Sequence, residues 1–173
     1  MFEDMLSFPV FPWLKIMLHK TLLFAALVLC PFIPVFADAG ATKTVQTEAA
    51  VKAARLVMDD FMTHFNARDK VRWADTLLFP HVRVASGDVI VTPSKAEFVA
   101  NMDFEAFAET FNWSHSAWDS IELIQAGPDK VHFKVQFSRF NPAGERYVTY
   151  DSLYIVQRDG DRWGIRARSS FAP

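Results

Sequence analysis

Val131-His-Phe-Lys-Val-Gln-Phe-Ser-Arg139, Tyr147-Val-Thr-Tyr-Asp-Ser-Leu-Tyr-Ile-Val-Gln157 and Arg162-Trp-Gly-Ile-Arg-Ala-Arg-Ser-Ser170 decide how this chain folds. Each run has the composition and alternation of a half-buried strand. Asn141-Pro-Ala-Gly144 and Arg158-Asp-Gly-Asp161 join them, and Gly-bearing links this short connect antiparallel neighbours.

Side chains on a strand alternate between two faces, so an assumed register sorts them. Pairing Phe140 with Glu145 sets Val135 opposite Tyr150 and Phe133 opposite Ser152. Pairing Gln157 with Arg162 sets Tyr154 opposite Ile165 and Tyr150 opposite Ser169. One face then carries Val131, Phe133, Val135, Phe137, Tyr150, Tyr154, Val156, Trp163, Ile165 and Phe171, with Arg139, Ser152 and Ser169 as its polar members. That face has to meet helices. The opposite face carries Lys134, Asp151, Arg166 and Arg168 beside Leu153 and Ile155. Asp151 falls between Lys134 and Arg168 as a cross-strand charge stripe. Leu153 and Ile155 exposed together mark a homodimer face.

Trp113 to Gln125 is a fourth strand. A plain turn at Ala126-Gly-Pro-Asp129 turns Trp118, Ser120 and Glu122 inward, whereas a bulge turns Asp119, Ile121 and Leu123 inward. Burying two aliphatic side chains favours the bulge.

Upstream, Val45 to Asn66 reads as one helix. Ala50, Ala54, Val57, Met58, Phe61, Met62 and Phe65 recur at helical spacing. Asn66 is placed to close it in a left-handed cap. Asp69 N-caps a second helix, Lys70 to Leu78, with Val71, Ala74, Leu77 and Leu78 inward, and Pro80 ends it. His81-Val-Arg-Val-Ala-Ser86 and Asp88-Val-Ile-Val-Thr92 form a hairpin about Gly87. Ser94-Lys-Ala-Glu97 is a capping box that opens a third helix running to about Phe107.

The first 39 residues read differently. Met17-Leu-His-Lys20, the apolar run Thr21 to Phe36 and Ala37-Asp-Ala39 compose a secretory signal peptide with an A-x-A cleavage pattern. Met17 offers an alternative start. The run is shorter than the roughly 20 residues a spanning helix needs, so no stable membrane anchor remains after cleavage, and the mature protein is periplasmic or secreted. The remainder, residues 40–173, makes one domain. Cys30 is the only cysteine, so that domain has none, which suits an oxidising compartment. The chain carries 18 basic and 20 acidic side chains. Removing Lys15 and Lys20, and Glu3, Asp4 and Asp38, leaves 16 and 17. A net charge of −1 speaks against nucleic acid as the partner.

Helix, helix, hairpin, helix and four long strands is the order of the SnoaL-like, or nuclear transport factor 2-like, superfamily with its cystatin-like cone. The chain resembles it over about residues 45–172. Three segments carry the resemblance: Phe61-Met-Thr-His-Phe-Asn-Ala-Arg-Asp69, Leu78-Phe-Pro-His-Val-Arg-Val-Ala-Ser-Gly87, and Asp159-Gly-Asp-Arg-Trp-Gly-Ile165, which is similar to a D-G-x-W-x-I ending. The resemblance implies an α+β fold of three N-terminal helices on a strongly curved antiparallel sheet. It also implies one internal pocket and frequent dimerisation through the sheet. It leaves the chemistry open, because relatives include isomerases, cyclases, dehydratases, epoxide hydrolases and non-catalytic binding proteins. Isomerase-like relatives pair a carboxylate base with a phenol. Tyr150 is a candidate phenol, while Asp119 and Glu122 depend on the unsettled register.

His81 and Arg83 share one face of their strand and Arg139 ends an apolar row, so all three are candidates to meet an anionic group. Tyr150, Ser152 and Ser169 cluster, with the serines as partners for the phenol. His64, His115 and His132 have no metal-ligand spacing. Trp113, Trp118, Phe104, Phe107 and Phe111 are candidates for an aromatic entrance. The reading that results is an exported domain that binds a small, mostly apolar ligand, with or without an anionic group. Phe133, Val135, Phe137, Trp118 and Tyr154 are the expected walls. His81, Arg83, Arg139 and Tyr150 are the expected polar anchors. No cofactor or metal is expected. The alternatives are a proton-transfer enzyme and a dimeric module without ligand. A cavity lacking a carboxylate favours binding, a carboxylate beside Tyr150 favours the enzyme, and a filled core favours the module.

Overall fold

The computed structural model describes residues 39–173, so the expected signal peptide lies outside the described residues. Helix α1 spans Ala39–Asn66 and starts before the expected Val45. Ala50, Ala54, Met58 and Phe61 form its buried stripe. It closes in the predicted kind of cap, one residue pair later than expected. Arg68, not Asn66, takes the left-handed conformation with φ 57°. The Arg68 N–H bonds the Phe65 carbonyl and the Asp69 N–H bonds the His64 carbonyl, the paired bonds of a Schellman cap. Asn66 instead holds the Ser116 backbone through both its amide groups, at 2.8 and 2.9 Å.

Asp69 caps α2 as expected, accepting from the Arg72 N–H at 3.0 Å, but α2 spans only Lys70–Asp75. Trp73 and Ala74 are its buried residues, while Val71 is 49 % exposed. Leu77 and Leu78 do point inward, though from a strand. Strand β1 runs Leu77–Ala85 and contains Pro80 after a cis peptide bond, so Pro80 does not end a helix. Strand β2, Asp88–Thr92, pairs back on it through Ser86 and Gly87, both at positive φ.

The expected third helix is two helices, α3 (Lys95–Asn101) and α4 (Phe104–Phe111). Ser94 caps the first as expected. Asp103 caps the second by accepting from the Glu105 and Ala106 N–H groups, each at 3.0 Å. An aspartate so placed offers the backbone an alternative to continuing the helix.

Strands β3 (His115–Ala126), β4 (Lys130–Phe140), β5 (Arg146–Asp159) and β6 (Arg162–Ser170) follow. The sheet is a curved, unclosed six-stranded one in the order β2-β1-β6-β5-β4-β3. The α+β architecture is as expected, with one topological difference: β1 runs parallel to β6.

Register explains which side chains were placed well. Along β4 and β5, Val135 faces Ser152, Phe133 faces Tyr154 and Phe137 faces Tyr150. The expected pairing is thus off by two residues, a slip that leaves every side chain on its own face. Val131, Phe133, Val135, Tyr154, Val156 and Ile165 are buried as predicted, in one cluster with Ala50, Ala54, Met58 and Phe61. Burying one such side chain contributes roughly 1.5–3 kcal/mol. On β3 both alternatives hold in part. An extra residue at Asp119 lets Trp118 and Ile121 point inward together, and a second at Ile124 loosens the strand's end. Leu123 faces Phe133 at the sheet edge but stays exposed.

One slip does change faces. Val156 pairs with Ile165, but the next pair is Ile155 with Ala167, so Arg166 is an extra residue on β6. Beyond it the alternation inverts. Arg168 and Ser170 turn inward, Ser169 turns out, and Phe171 is 76 % exposed. The placement of Arg168 on the outer face and of Phe171 and Ser169 on the inner one is thereby corrected. The charge stripe changes too: Lys134 meets Glu122 at 3.7 Å, and Gln136 donates to Asp151 at 3.4 Å.

Candidate functional site

Beneath the helices, beyond the Val131–Val135 row, lies a cavity of about 380 Å³. This is within the roughly 300–1,000 Å³ of small-molecule sites. Phe61 and Phe65 of α1, Trp73 of α2, Phe98 of α3, and Phe107 and Phe111 of α4 form its helix side. Its sheet side presents His81, Arg83, Trp118, Phe137, Arg139, Tyr154 and Arg168. No aspartate or glutamate lines it.

Two facing irregularities build the polar floor. Leu77 of β1 pairs with Ile165, and the next β1–β6 pair is Val82 with Ala167, so β1 arches over residues 78–81 opposite the extra Arg166. Bulges re-aim the side chains that follow them. Arg166 clamps the two strands together. It donates to the Phe79 carbonyl at 2.7 Å and to Gln157 Oε1 at 3.3 Å, and pairs with Asp159 at 3.0 Å. Within this arch His81 is driven inward, and it is only 2 % exposed. Its Nδ1 lies 3.1 Å from the Ile165 carbonyl oxygen. A carbonyl can only accept, so Nδ1 carries the proton and Nε2 keeps a lone pair. Nε2 is buried and has no protein partner. Burial, and then the neighbouring Arg168 charge, press the His81 pKa down to about 3, so the ring is neutral near pH 7.

Arg168 packs its guanidinium over the rings of Phe61 at 5.3 Å and Trp73 at 5.7 Å, and its Nε is buried without a partner. Arg139 is 5 % exposed and packs against Phe107, Phe111 and Tyr150 at 5.0–5.2 Å, with Nε and Nη1 unpartnered. Burial lowers its pKa, and the phenols of Tyr150 and Tyr147 oppose that shift. Arg83 donates to the carbonyls of Ala172 and Pro173 at 3.3 and 2.7 Å. Burial and Arg168 bring its pKa down to about 10.

Of the residues singled out in the sequence, His81, Arg83, Trp118, Phe137, Arg139 and Tyr154 border this cavity together. Phe133 and Val135 do not, because they are wholly buried in the core cluster that includes Ala54 and Met58. Tyr150 stands behind Arg139, its ring 5.6 Å from Phe137. Ser152 donates to the Ser170 hydroxyl at 2.7 Å rather than to the Tyr150 phenol, and Ser169 is exposed, so neither serine is the expected partner of Tyr150. Phe107, Phe111 and Trp118 of the expected entrance line the cavity, whereas Phe104 and Trp113 are core. Trp118 satisfies its indole N–H on the Met58 carbonyl at 3.2 Å.

The carboxylate candidates lie elsewhere. Asp119 accepts from the Ser138 hydroxyl at 2.5 Å and pairs with Arg146 at 3.0 Å, and neither partner borders the cavity. Glu122 faces Lys134. Among the described residues no cluster of three His, Cys, Asp or Glu side chains is poised to hold a metal. Sequence reasoning missed Arg168 and most of the aromatic helix wall. The 3.6-residue stripe already contained Phe61 and Phe65, but nothing local announced that the wall faces a hollow.

The model of the family described as "NTF2-like protein (DUF6841)" matches residues 39–171. Among solved structures, the chain is similar to an NTF2-like protein with a cystatin-like fold from Novosphingobium aromaticivorans. That likeness has a TM-score of 0.60 at 9% identity and covers 78% of this chain and 86% of the other. An NTF2-like protein of unknown function from Pseudomonas putida gives 0.58 at 15% identity, over 73% and 89%. A ketosteroid isomerase-like protein from Erwinia carotovora atroseptica gives 0.50 at 19% identity, over 70% and 96%. Likenesses of this degree speak for the fold. No curated protein matches the chain.

Proposed function

The chain belongs to the NTF2-like DUF6841 family, and we propose that it is an exported domain that holds a small, mostly apolar ligand in the cavity beneath its helices. The observation that carries this is the cavity itself: about 380 Å³, walled by aromatic rings, with no acidic side chain on its lining. A hollow of apolar surface with a few convergent polar groups is the common form of a small-molecule site. Export rests on the Ala37-Asp-Ala39 signal pattern.

Proton-transfer chemistry is the second reading, and His81 is the group that would have to serve as base. A pKa near 3 makes it a weak one at neutral pH. Native mass spectrometry of the protein exported from its host tests the binding reading. A retained small molecule, absent after denaturation, is expected on a chain that begins at Gly40. A bare chain that also takes up no compound from an apolar ligand library speaks against it.

Homodimerisation through the outer sheet face is part of the proposal. Leu153, Ile124 and Val84 are exposed there, around a shallow groove that also includes Val82, Ile155 and Ala167. Leu153→Asp is expected to sediment as a monomer where the wild type sediments as a dimer. Equal sedimentation of the two removes this interface.

A further inference from the structure

Three guanidinium groups share the cavity with no acidic side chain to balance them. Elsewhere in the described chain arginines are paired. Arg68, Arg72, Arg146, Arg158 and Arg166 meet carboxylates, while Arg55 and Arg162 meet backbone carbonyls. Within the cavity Arg83 is likewise satisfied by main-chain oxygens of Ala172 and Pro173. Arg139 and Arg168 are the exceptions: Arg139 Nε and Nη1 and Arg168 Nε are buried without partners, and Arg139 has only the Tyr147 phenol within hydrogen-bonding reach. Buried donors without partners cost about 1–3 kcal/mol each, and more when charged, so an arrangement that keeps them calls for an explanation.

The packing of these two side chains narrows what can answer them. Both guanidinium groups pack against rings: Phe61 and Trp73 for Arg168, and Phe107, Phe111 and Tyr150 for Arg139. Ring packing does not use the in-plane N–H edges, and N–H groups on both remain unbonded. Those edges match the spacing of a carboxylate. The rest of the lining is aromatic and aliphatic. His81 adds no charge, and its Nε2 lone pair complements a hydroxyl on the ligand rather than its anionic end.

We propose that the cavity is specific for a ring-bearing carboxylate. Its anionic end sits on the N–H edges of Arg139 and Arg168, and its apolar body lies against Phe61, Phe65, Trp73 and Trp118. This rests on the ligand-binding reading above and adds to it the charge and class of the ligand. Arg168 becomes the residue that selects the anion.

Calorimetric titration of the full exported protein with 2-naphthoate and with its neutral isostere 2-naphthamide tests it. The naphthoate is expected to bind at least tenfold more tightly. Arg168→Met and Arg139→Met are each expected to erase that preference while changing naphthamide affinity less than about twofold. Because neither guanidinium is paired with a carboxylate, neither variant should melt more than ~5 °C below the wild type without ligand. Equal binding of the two probes overturns the carboxylate class and leaves the apolar-ligand reading standing. Failure of both probes to bind overturns the class as well, and a neutral molecule retained in native mass spectrometry then separates that failure from failure of the binding reading. A melting loss beyond ~5 °C with the naphthoate preference intact assigns Arg168 a structural role and overturns its selection of the anion.

Discussion

Strands β4 and β5 pair along most of their length with the alternation kept; inward Val131, Phe133, Val135 and Val156 lie in the solid core, while Phe137, Arg139 and Tyr154 reach the cavity. Strands β1 and β6 meet in parallel, each with an irregularity at the same place, and the side chains they send inward make the polar floor of a cavity. The two regions use similar residue types and differ in register. Regular alternation gives a mostly apolar face, with Ser152 and Arg139 as its polar members, that fills its own space over Val131–Val135. The extra residue at Arg166 inverts the alternation and sends a cation where the pattern calls for an aliphatic. Stability is concentrated in the first region, and recognition draws on the second together with Arg139 near the end of β4.

Substitutions can separate these roles. Phe133→Ala, in the regular pair, removes a ring with no exposed surface. It is expected to lower unfolding stability by about 3–5 kcal/mol in urea titrations, with probe binding in the surviving folded protein unchanged. A loss of binding as large as that of the Arg168 variant would merge the two regions into one.

The next effect belongs to the irregular pair. His81 has its pKa lowered from 6.5 to about 3 in the native protein. Between those values the unfolded chain binds a proton that the native state refuses, so this contribution is fully present above pH 6.5 and is lost as pH falls. From pH 6.5 to pH 4 the loss is roughly 3 kcal/mol. His81→Asn should flatten that part of the stability–pH curve, and parallel curves for variant and wild type would place His81 in contact with water.

The smallest effect sits where the two regions join. A Cβ on Gly164 would lie 2.9 Å from Leu78 Cγ and 3.3 Å from the Leu77 carbonyl carbon. Gly164→Ala should therefore destabilise by about 1–3 kcal/mol. A neutral result would mean that β1 approaches β6 less closely than the arch requires.

What the sequence made legible follows the same division. Ser94 and Asp69 act through hydrogen bonds to N–H groups two to four residues away, and both caps were readable. The β4–β5 core was readable although its register was off, because a slip of two residues preserves faces. His81, Arg83 and Arg139 were found as polar residues on inward rows. Arg168 was not, because its direction is decided by Arg166 reaching across to the Phe79 carbonyl and to Asp159. The first of those contacts joins segments far apart in the chain and the second crosses a hairpin, and period-two counting has no access to either. The division of the third helix was visible in principle, since Asp103 stands two residues before Glu105 with a free side chain to cap. The alternation alone assigns Phe133 and Val135 to the cavity wall, since it does not separate inward from facing the hollow; both pack in the core cluster with Ala54 and Met58 of α1 instead.

The inversion of β6 can be observed directly by nuclear Overhauser effects from the Arg168 side-chain protons in isotopically labelled protein. The account predicts cross-peaks to the rings of Phe61 and Trp73, over which the guanidinium packs at 5.3 and 5.7 Å. Cross-peaks to Leu153 and Ile155 on the outer face, with none to those rings, would contradict it.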